Sequence, residues 1–223
     1  AGAVVHVPHK LSSVTSAASW MQYLTAWGGL VYYADVTPED TVLVTAASSS
    51  AALGGLQLCK DIGARVIAVT RSEEKVDRLL AAGADNVLVG SSQDLVPKVL
   101  EITRGRGATV IYDPISGTLA AALIGAASPE ARIICYGDLS PANIDFSASE
   151  ALTKRVNIKF YSLYDVTRRP ERLQQAHDYV YRRLEKNIFQ PIIDTVFYGL
   201  MSTVDAHRRM ESNSQFGKIV VKL

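Results

Sequence analysis

Between Thr41 and Gly137 the chain repeats one pattern: a short apolar run rich in β-branched residues, a turn of small or polar residues, then a helical period. The runs are TVLVT, ARVIAVT, DNVLV, ATVIYD and RIICYG, and helical stretches lie between them around Leu53–Ile62, Glu73–Ala82, Leu95–Thr103 and Thr118–Ala127. Strands alternating with helices predict a parallel sheet, because parallel neighbours need a crossover connection. Runs that are apolar throughout, rather than at alternate positions, predict strands covered on both faces. The fold class is therefore α/β, a doubly wound parallel sheet.

The flanks read differently. After Gly137 the loop DLSPANIDFSAS leads to NIKFYSLYD, which adds a sixth strand. Leu173, Ala176, Val180 and Leu184 then recur on one helical face and leave Arg172, Arg182, Arg183, Glu185 and Lys186 outside it. The pairs Arg168-Arg169 and Arg182-Arg183 thus read as a solvated face. Residues 188–223 hold short strands and one short helix near Asp205–Met210. At the start, VVHVP reads as a scrap of strand ended by a proline, and Trp20–Tyr33 as an apolar, aromatic helix. This divides the chain into an N-terminal portion 1–33, a central α/β domain 34–187 and a C-terminal segment 188–223.

Composition narrows the function. A chain of 223 residues with 48% hydrophobic and 20% charged residues can bury a sizeable core, and it excludes low-complexity and disordered classes. Lys and Arg (23) nearly cancel Asp and Glu (22), so nothing argues for nucleic acid or an anionic membrane. No apolar stretch nears the roughly 18 residues of a membrane span, and no basic region with an apolar signal core opens the chain; a cytoplasmic protein is expected. Cys59 and Cys135 sit in apolar runs and read as reduced and buried. His6, His9, His177 and His207 show no metal-ligand spacing and read as structural or surface residues, with no metal expected.

The turn after the first run, TAASSSAALGGLQ, lies where a doubly wound sheet sets a pyrophosphate over a helix N-terminus. Laid on the frame G-x-G-x-x-G, Ala47 to Ala52 place no glycine at the three glycine positions. Small size is the physical demand, and Ala and Ser meet it, although they tolerate positive φ poorly. A turn that merely packs small residues is the competing reading. The next position with chemistry is the end of the second strand, where an NAD-binding protein places Asp or Glu for the ribose hydroxyl. Here stand Thr70 and Arg71, with Lys75 a turn later. A hydroxyl and two cations suit a ribose 2′-phosphate, which a carboxylate would repel, so the reading is NADP(H). The alternative is that Arg71 and Lys75 pair with Glu73 and Glu74 on the surface.

These residues, with YLTAW, TPEDTVLVTAASS, RLLAAGADNVL, YDPISG, ICYGDLS and AHRRMESNSQFGKIVVKL, resemble the medium-chain dehydrogenase/reductase family. Within it they are most similar to the zinc-independent quinone oxidoreductase-like branch. The resemblance implies a Rossmann domain flanked by short remnants of a β-rich catalytic domain, and a set of cofactor contacts. Thr25 would lie near the nicotinamide, Ser48, Ser49, Ser50 and Ala51 at the pyrophosphate, and Thr70, Arg71 and Lys75 at the adenosine phosphate. Asp113 and Ser116 would flank the adenosine. Tyr136 and Gly137 would approach the nicotinamide ribose, and Phe160, Tyr161, Ser162 and Leu163 the carboxamide, while Phe216, Gly217 and Lys218 would close over the ring. Many relatives place Asn-Tyr at the end of the third strand, the Tyr near the 2′-phosphate, where this chain has Val89 and Gly90.

The resemblance further implies an oxidoreductase moving hydride between the nicotinamide and a quinone, enone or related carbonyl, and a homodimer that pairs the edge strand around Asn157–Tyr161 with its mate. The family's catalytic domain precedes VVHVP, so catalytic residues are not assigned and this chain alone is expected to be inactive. Val4, Val5 and Val7 are expected to form a small sheet remnant with Ile192, Ile193, Val196, Phe197, Ile219, Val220 and Val221. A stand-alone NADPH-binding regulatory module is the rival. No Tyr-x-x-x-Lys, G-x-S-x-G or G-x-x-x-x-G-K-[ST] occurs to suggest another chemistry.

Overall fold

The structure, a computed structural model, describes residues 5–90 and 92–223. Six strands, β1 (Thr41–Val44), β2 (Arg65–Thr70), β3 (Asn86–Val89), β4 (Ala108–Asp113), β5 (Ala127–Cys135) and β6 (Asn157–Phe160), form one sheet in the order β3-β2-β1-β4-β5-β6. Every pairing is parallel. Helices α1 (Ser13–Ala26), α2 (Ser50–Ile62), α3 (Val76–Ala81), the single turn α7 (Tyr164–Thr167) and α8 (Pro170–Glu185) contribute to the core on one face. The other face takes α4 (Ser92–Ile102), α5 (Ala120–Ala126) and α6 (Ala148–Lys154). Within β1, Val42 and Val44 enter the first core and Leu43 the second, which explains why these strands read as unbroken apolar runs.

Local signals start and stop the helices. The Ser12 and Ser49 side chains accept the backbone N–H groups of Thr15 and Ala52, capping α1 and α2. Helix α2 ends at Gly63 in the left-handed conformation (φ 95°). On α8 the buried residues are Leu173, Ala176, Val180 and Leu184, the face expected from their spacing. Arg183 leaves the solvated face assigned to it: it pairs with Asp61 and lies over the Tyr179 ring.

Helix α1 continues as a π-helix, Trp27–Tyr33, so the aromatic stretch is helical but not uniformly α. One glycine from each of two pairs borders the same tyrosine. A Cβ on Gly29 would stand 2.8 Å from the Tyr112 ring, and one on Gly55 would stand 3.0 Å from it. Glycine inside a helix costs about 1 kcal/mol relative to alanine; here it gives a fully buried aromatic ring its room.

Three sequence expectations change. Helix α5 stops at Ala126, and β5 begins at Ala127 with a register shift between Ala108 and Val110; Glu130 at φ 63° and Pro129 belong to this irregular stretch, and proline's missing N–H suits a bulge. Residues 5–8 form no strand: the His6 carbonyl meets His177 and Lys10 donates to the Glu185 carbonyl, so this segment lies along α8. Val4 lies outside the described residues. The C-terminal strands satisfy each other instead, since β7 (Ile193–Tyr198) and β8 (Lys218–Lys222) pair in parallel with α9 (Thr203–Glu211) in their connection. Among the described residues no helix is long and apolar enough to cross a membrane.

Candidate functional site

The carboxyl ends of the parallel strands share one crest, where open α/β sheets place ligands. At its centre is the turn from β1 to α2. Ala46 adopts φ 45° without glycine's freedom, and Ala47 is buried with its N–H on the Val69 carbonyl at 3.1 Å. The Ser49 hydroxyl caps the Ala52 N–H at 3.3 Å. The N–H groups of Ser50 and Ala51 open the first turn of α2, where the helix itself supplies no acceptor.

Cations gather at the end of β2. Thr70 is buried and its hydroxyl accepts the Ser72 N–H, while Arg71 is exposed. Lys75 is neither loose nor paired with Glu73 or Glu74: its Nζ donates to Ser48 Oγ (3.1 Å) and to the carbonyls of Asn213 (3.2 Å) and Gln215 (3.0 Å). Burial, then the charges of Arg71, Arg78 and Arg209, hold its pKa below the usual lysine value, and Asp194 opposes them. Asp194 is committed to Arg209 through two bonds, of 2.9 and 3.0 Å. Burial works to raise the Asp194 pKa, but hydrogen bonds from Arg209, the Phe216 N–H and Thr195, with the Arg209 charge, bring it down to about 2.

The segment Asn213–Gly217 lies over the β1–α2 turn. The Gly217 N–H donates to the Ser48 carbonyl at 2.9 Å, and Ser49 and Gly217 form a parallel bridge. Gly217 is at φ 104°, and a Cβ there would collide with the Ile192 carbonyl. Phe216 is buried, with the Arg78 guanidinium 4.0 Å above its ring, so it packs on the β2–α3 side of the turn. Its position follows from the Asp194 bond to its N–H (2.9 Å). Lys218 lies within β8, half-buried, and burial lowers its pKa.

At the β4–β5–β6 end several expected contacts turn inward. Asp113 is fully buried and accepts hydrogen bonds from the Thr45 hydroxyl and the Ser116 N–H (2.6 Å); burial raises its pKa and these bonds, with one from Ile115, lower it. Ser116, at φ 58°, spends its hydroxyl on the Gly137 carbonyl at 3.1 Å. These two residues shape the loops at this end. Tyr161 is likewise buried, its hydroxyl on the Leu24 carbonyl at 3.3 Å, because the strand alternation that exposes Phe160 turns its neighbour toward α1. Thr25 is buried with its hydroxyl on the Met21 carbonyl at 2.6 Å. Ser162 is exposed, and Leu163, Tyr136 and Gly137 are half-buried. Tyr136 stacks on Tyr112 at 3.9 Å, and its buried hydroxyl lies beside the Ser49 side chain.

A small apolar cleft opens beside this end, between α5, β5, β6 and the Ile144–Phe146 loop. Among the described residues no group of three or more His, Cys, Asp or Glu could hold a metal ion. Both cysteines are free thiols and buried; burial and the Asp113 charge push Cys135 up to about 11. Sequence reading missed Arg78, Asn213 and Gln215. Only Arg78 left a signal, its spacing three residues after Lys75.

The family model described as zinc-binding dehydrogenase matches residues 52–181, more than half of the chain. The chain belongs to this family. Among curated relatives, it is 27% identical over 227 residues to a phenolphthiocerol/phthiocerol polyketide synthase component of Mycobacterium tuberculosis, covering 99% of this chain and 10% of that protein. It is 26% identical over 221 residues to the quinone oxidoreductase of Sus scrofa, covering 99% of this chain and 66% of that one. Among solved structures, an NAD-dependent alcohol dehydrogenase superposes with TM-score 0.88 at 29% identity, over 98% of this chain and 61% of its own. A mycobacterial protein complexed with NADPH gives TM-score 0.90 at 24% identity, over 97% and 67%, a likeness of fold. This chain thus spans about a tenth of the first curated relative and about two thirds of the shorter ones. The fold is the dinucleotide-binding fold expected, and the resemblance to the medium-chain family holds. The zinc of the family's name has no donor set among the described residues.

Proposed function

We propose that this chain is the NADP(H)-binding domain of an oxidoreductase that moves hydride between the nicotinamide and a quinone, enone or related conjugated carbonyl. The observation that carries the reading is the cation group of Arg71 and Lys75 at the end of β2, beside a buried Thr70 where a carboxylate would favour NAD. The residues fit the cofactor. Ser50 and Ala51 present the first turn of α2 to a pyrophosphate, beside Ser48 and Ser49, and the buried Tyr136 hydroxyl lies beside Ser49. Phe160, Ser162 and Leu163 rim the nicotinamide end, with Thr25 beneath. When bound, the cofactor supplies the hydride, and the residues named here bind and orient it.

The likeness to a polyketide synthase and to a quinone oxidoreductase supports a conjugated carbonyl acceptor. Residues 34–187 form the cofactor unit in this reading. The segment 188–223 borders the remainder of the enzyme, in keeping with exposed Tyr198, Leu200 and Met201. The two copies of a homodimer would join through β6. Titrating the chain with NADPH and NADH tests the reading: NADPH is expected to bind about tenfold tighter or more, the contribution of one charge-assisted contact. Equal affinities would overturn the NADP(H) preference, and absence of binding would overturn the cofactor reading altogether.

A further inference from the structure

A ribose 2′-phosphate brings a charge near −2 to the end of β2, whereas the Lys75 ammonium already divides its donors among Ser48, Asn213 and Gln215. A tyrosine partner at the end of β3 is not available, since Gly90 stands there. Arg209 is neutralised by Asp194. Two cations near Lys75 stay without an ion pair among the described residues, Arg71 and Arg78, and they differ in order. Arg71 is exposed and makes no aromatic contact there. Arg78 is exposed too, but its guanidinium is stacked 4.0 Å above the buried Phe216 ring. Stacking fixes the plane of the fork while its N–H edge stays free, the arrangement that suits bidentate recognition of a phosphate.

Position supports the same assignment. Lys75 and Arg78 are three residues apart where the 3-10 turn Glu73–Lys75 runs into α3, a spacing that sets side chains on one face. Glu73, Glu74 and Asp77 share this segment, yet none lies within ion-pair distance of Lys75 or Arg78. Phe216 itself is anchored by its N–H on Asp194, so the aromatic base under the guanidinium belongs to a fixed segment.

We infer that Arg78, braced on Phe216, is a specificity-determining residue that takes the cofactor's ribose phosphate together with Lys75. This rests on the proposed NADP(H) reading. The probes are 2′,5′-ADP, which carries the phosphate without nicotinamide, and 5′-AMP, which lacks it; the variants are Arg78→Met, Arg78→Lys and Arg71→Met. Arg78→Met should weaken 2′,5′-ADP and NADPH about tenfold or more and leave 5′-AMP and NADH within about twofold. Arg78→Lys should recover only part, because an ammonium keeps the charge but not the fork.

Each outcome separates the two claims. If wild-type protein binds 2′,5′-ADP no better than 5′-AMP, the NADP(H) reading itself fails. If wild type discriminates but Arg78→Met discriminates equally well, the inference about Arg78 fails while the site stands. A uniform loss for both nucleotides in Arg78→Met, with a lowered unfolding midpoint, would assign Arg78 to structure and also overturn the inference.

Discussion

The Thr45 hydroxyl donates to the buried carboxylate of Asp113 and ties the end of β1 to the end of β4 directly beneath the crest. The same carboxylate accepts the Ser116 N–H, and the Asp113 carbonyl accepts the Tyr136 N–H at 2.9 Å, so three strand ends depend on one residue. Thr45→Val keeps the shape and removes the donor, leaving the buried carboxylate short of a partner. A loss of about 1–3 kcal/mol is expected in urea unfolding, and Thr45→Ser should keep most of the wild-type stability. A Thr45→Val protein as stable as wild type would show that the bond holds nothing.

Asp194 sets an acid limit on the C-terminal segment. Its folded pKa of about 2 is below the ordinary aspartate value, so the unfolded chain binds the proton first as pH falls. Its stabilisation is complete above about pH 4 and is lost as pH falls from there toward 2. Asp194→Asn should reduce stability at pH 7 and show a smaller further loss between pH 5 and 3 than wild type. Denaturant midpoints at the two pH values check this, and identical pH slopes would contradict it.

Gly29→Ala and Gly55→Ala should each destabilise, although alanine is the better helix former. The added methyl meets the buried Tyr112 ring at 2.8 or 3.0 Å, and overpacking of this kind costs about 1–3 kcal/mol against a propensity gain of about 1. Thermal midpoints decide the sign. An increase for either variant would mean that Tyr112 moves aside freely.

Among the described residues strand β6 pairs only with β5, and it presents Ile158 and Phe160 at the sheet's edge, the latter 59% exposed. Edge strands of this kind invite pairing with another copy. Light scattering should report a dimer, and Ile158→Pro, which removes one edge N–H, should shift it toward monomer while the far-ultraviolet spectrum stays helical and strand-like. A wild-type monomer at high concentration would exclude the edge as an interface.

The central strands were legible because they are covered on both faces and so leave unbroken apolar runs; β1 and β4 are plain in TVLV and ATVIYD. The site was legible only where it is local. The Ser48–Ser50 turn and the Thr70–Lys75 stretch follow directly from the ends of two strands. Nothing in FGK says which loop Phe216 will cross, since its position depends on Asp194, twenty-two residues away in the chain. Asp113 illustrates a different limit. An aspartate closing a strand reads the same whether it faces a ligand or a threonine of the neighbouring strand, and only the pairing of β1 with β4 decides. The glycine pairs in WGGL and LGGL were a usable signal, since two consecutive helix-weakening residues imply a close neighbour.

The Gly217 amide occupies a bridge that belongs to neither sheet, between the turn that follows β1 and the segment that enters β8. Its proton is held by the Ser48 carbonyl, so exchange with solvent requires the C-terminal segment to lift from that turn. Exchange at this single amide therefore counts local openings apart from global unfolding. It makes the C-terminal segment a timekeeper for the turn beneath it: any occupant that ties Ser48 and Lys75 together slows the count, and one that competes for Lys75 speeds it.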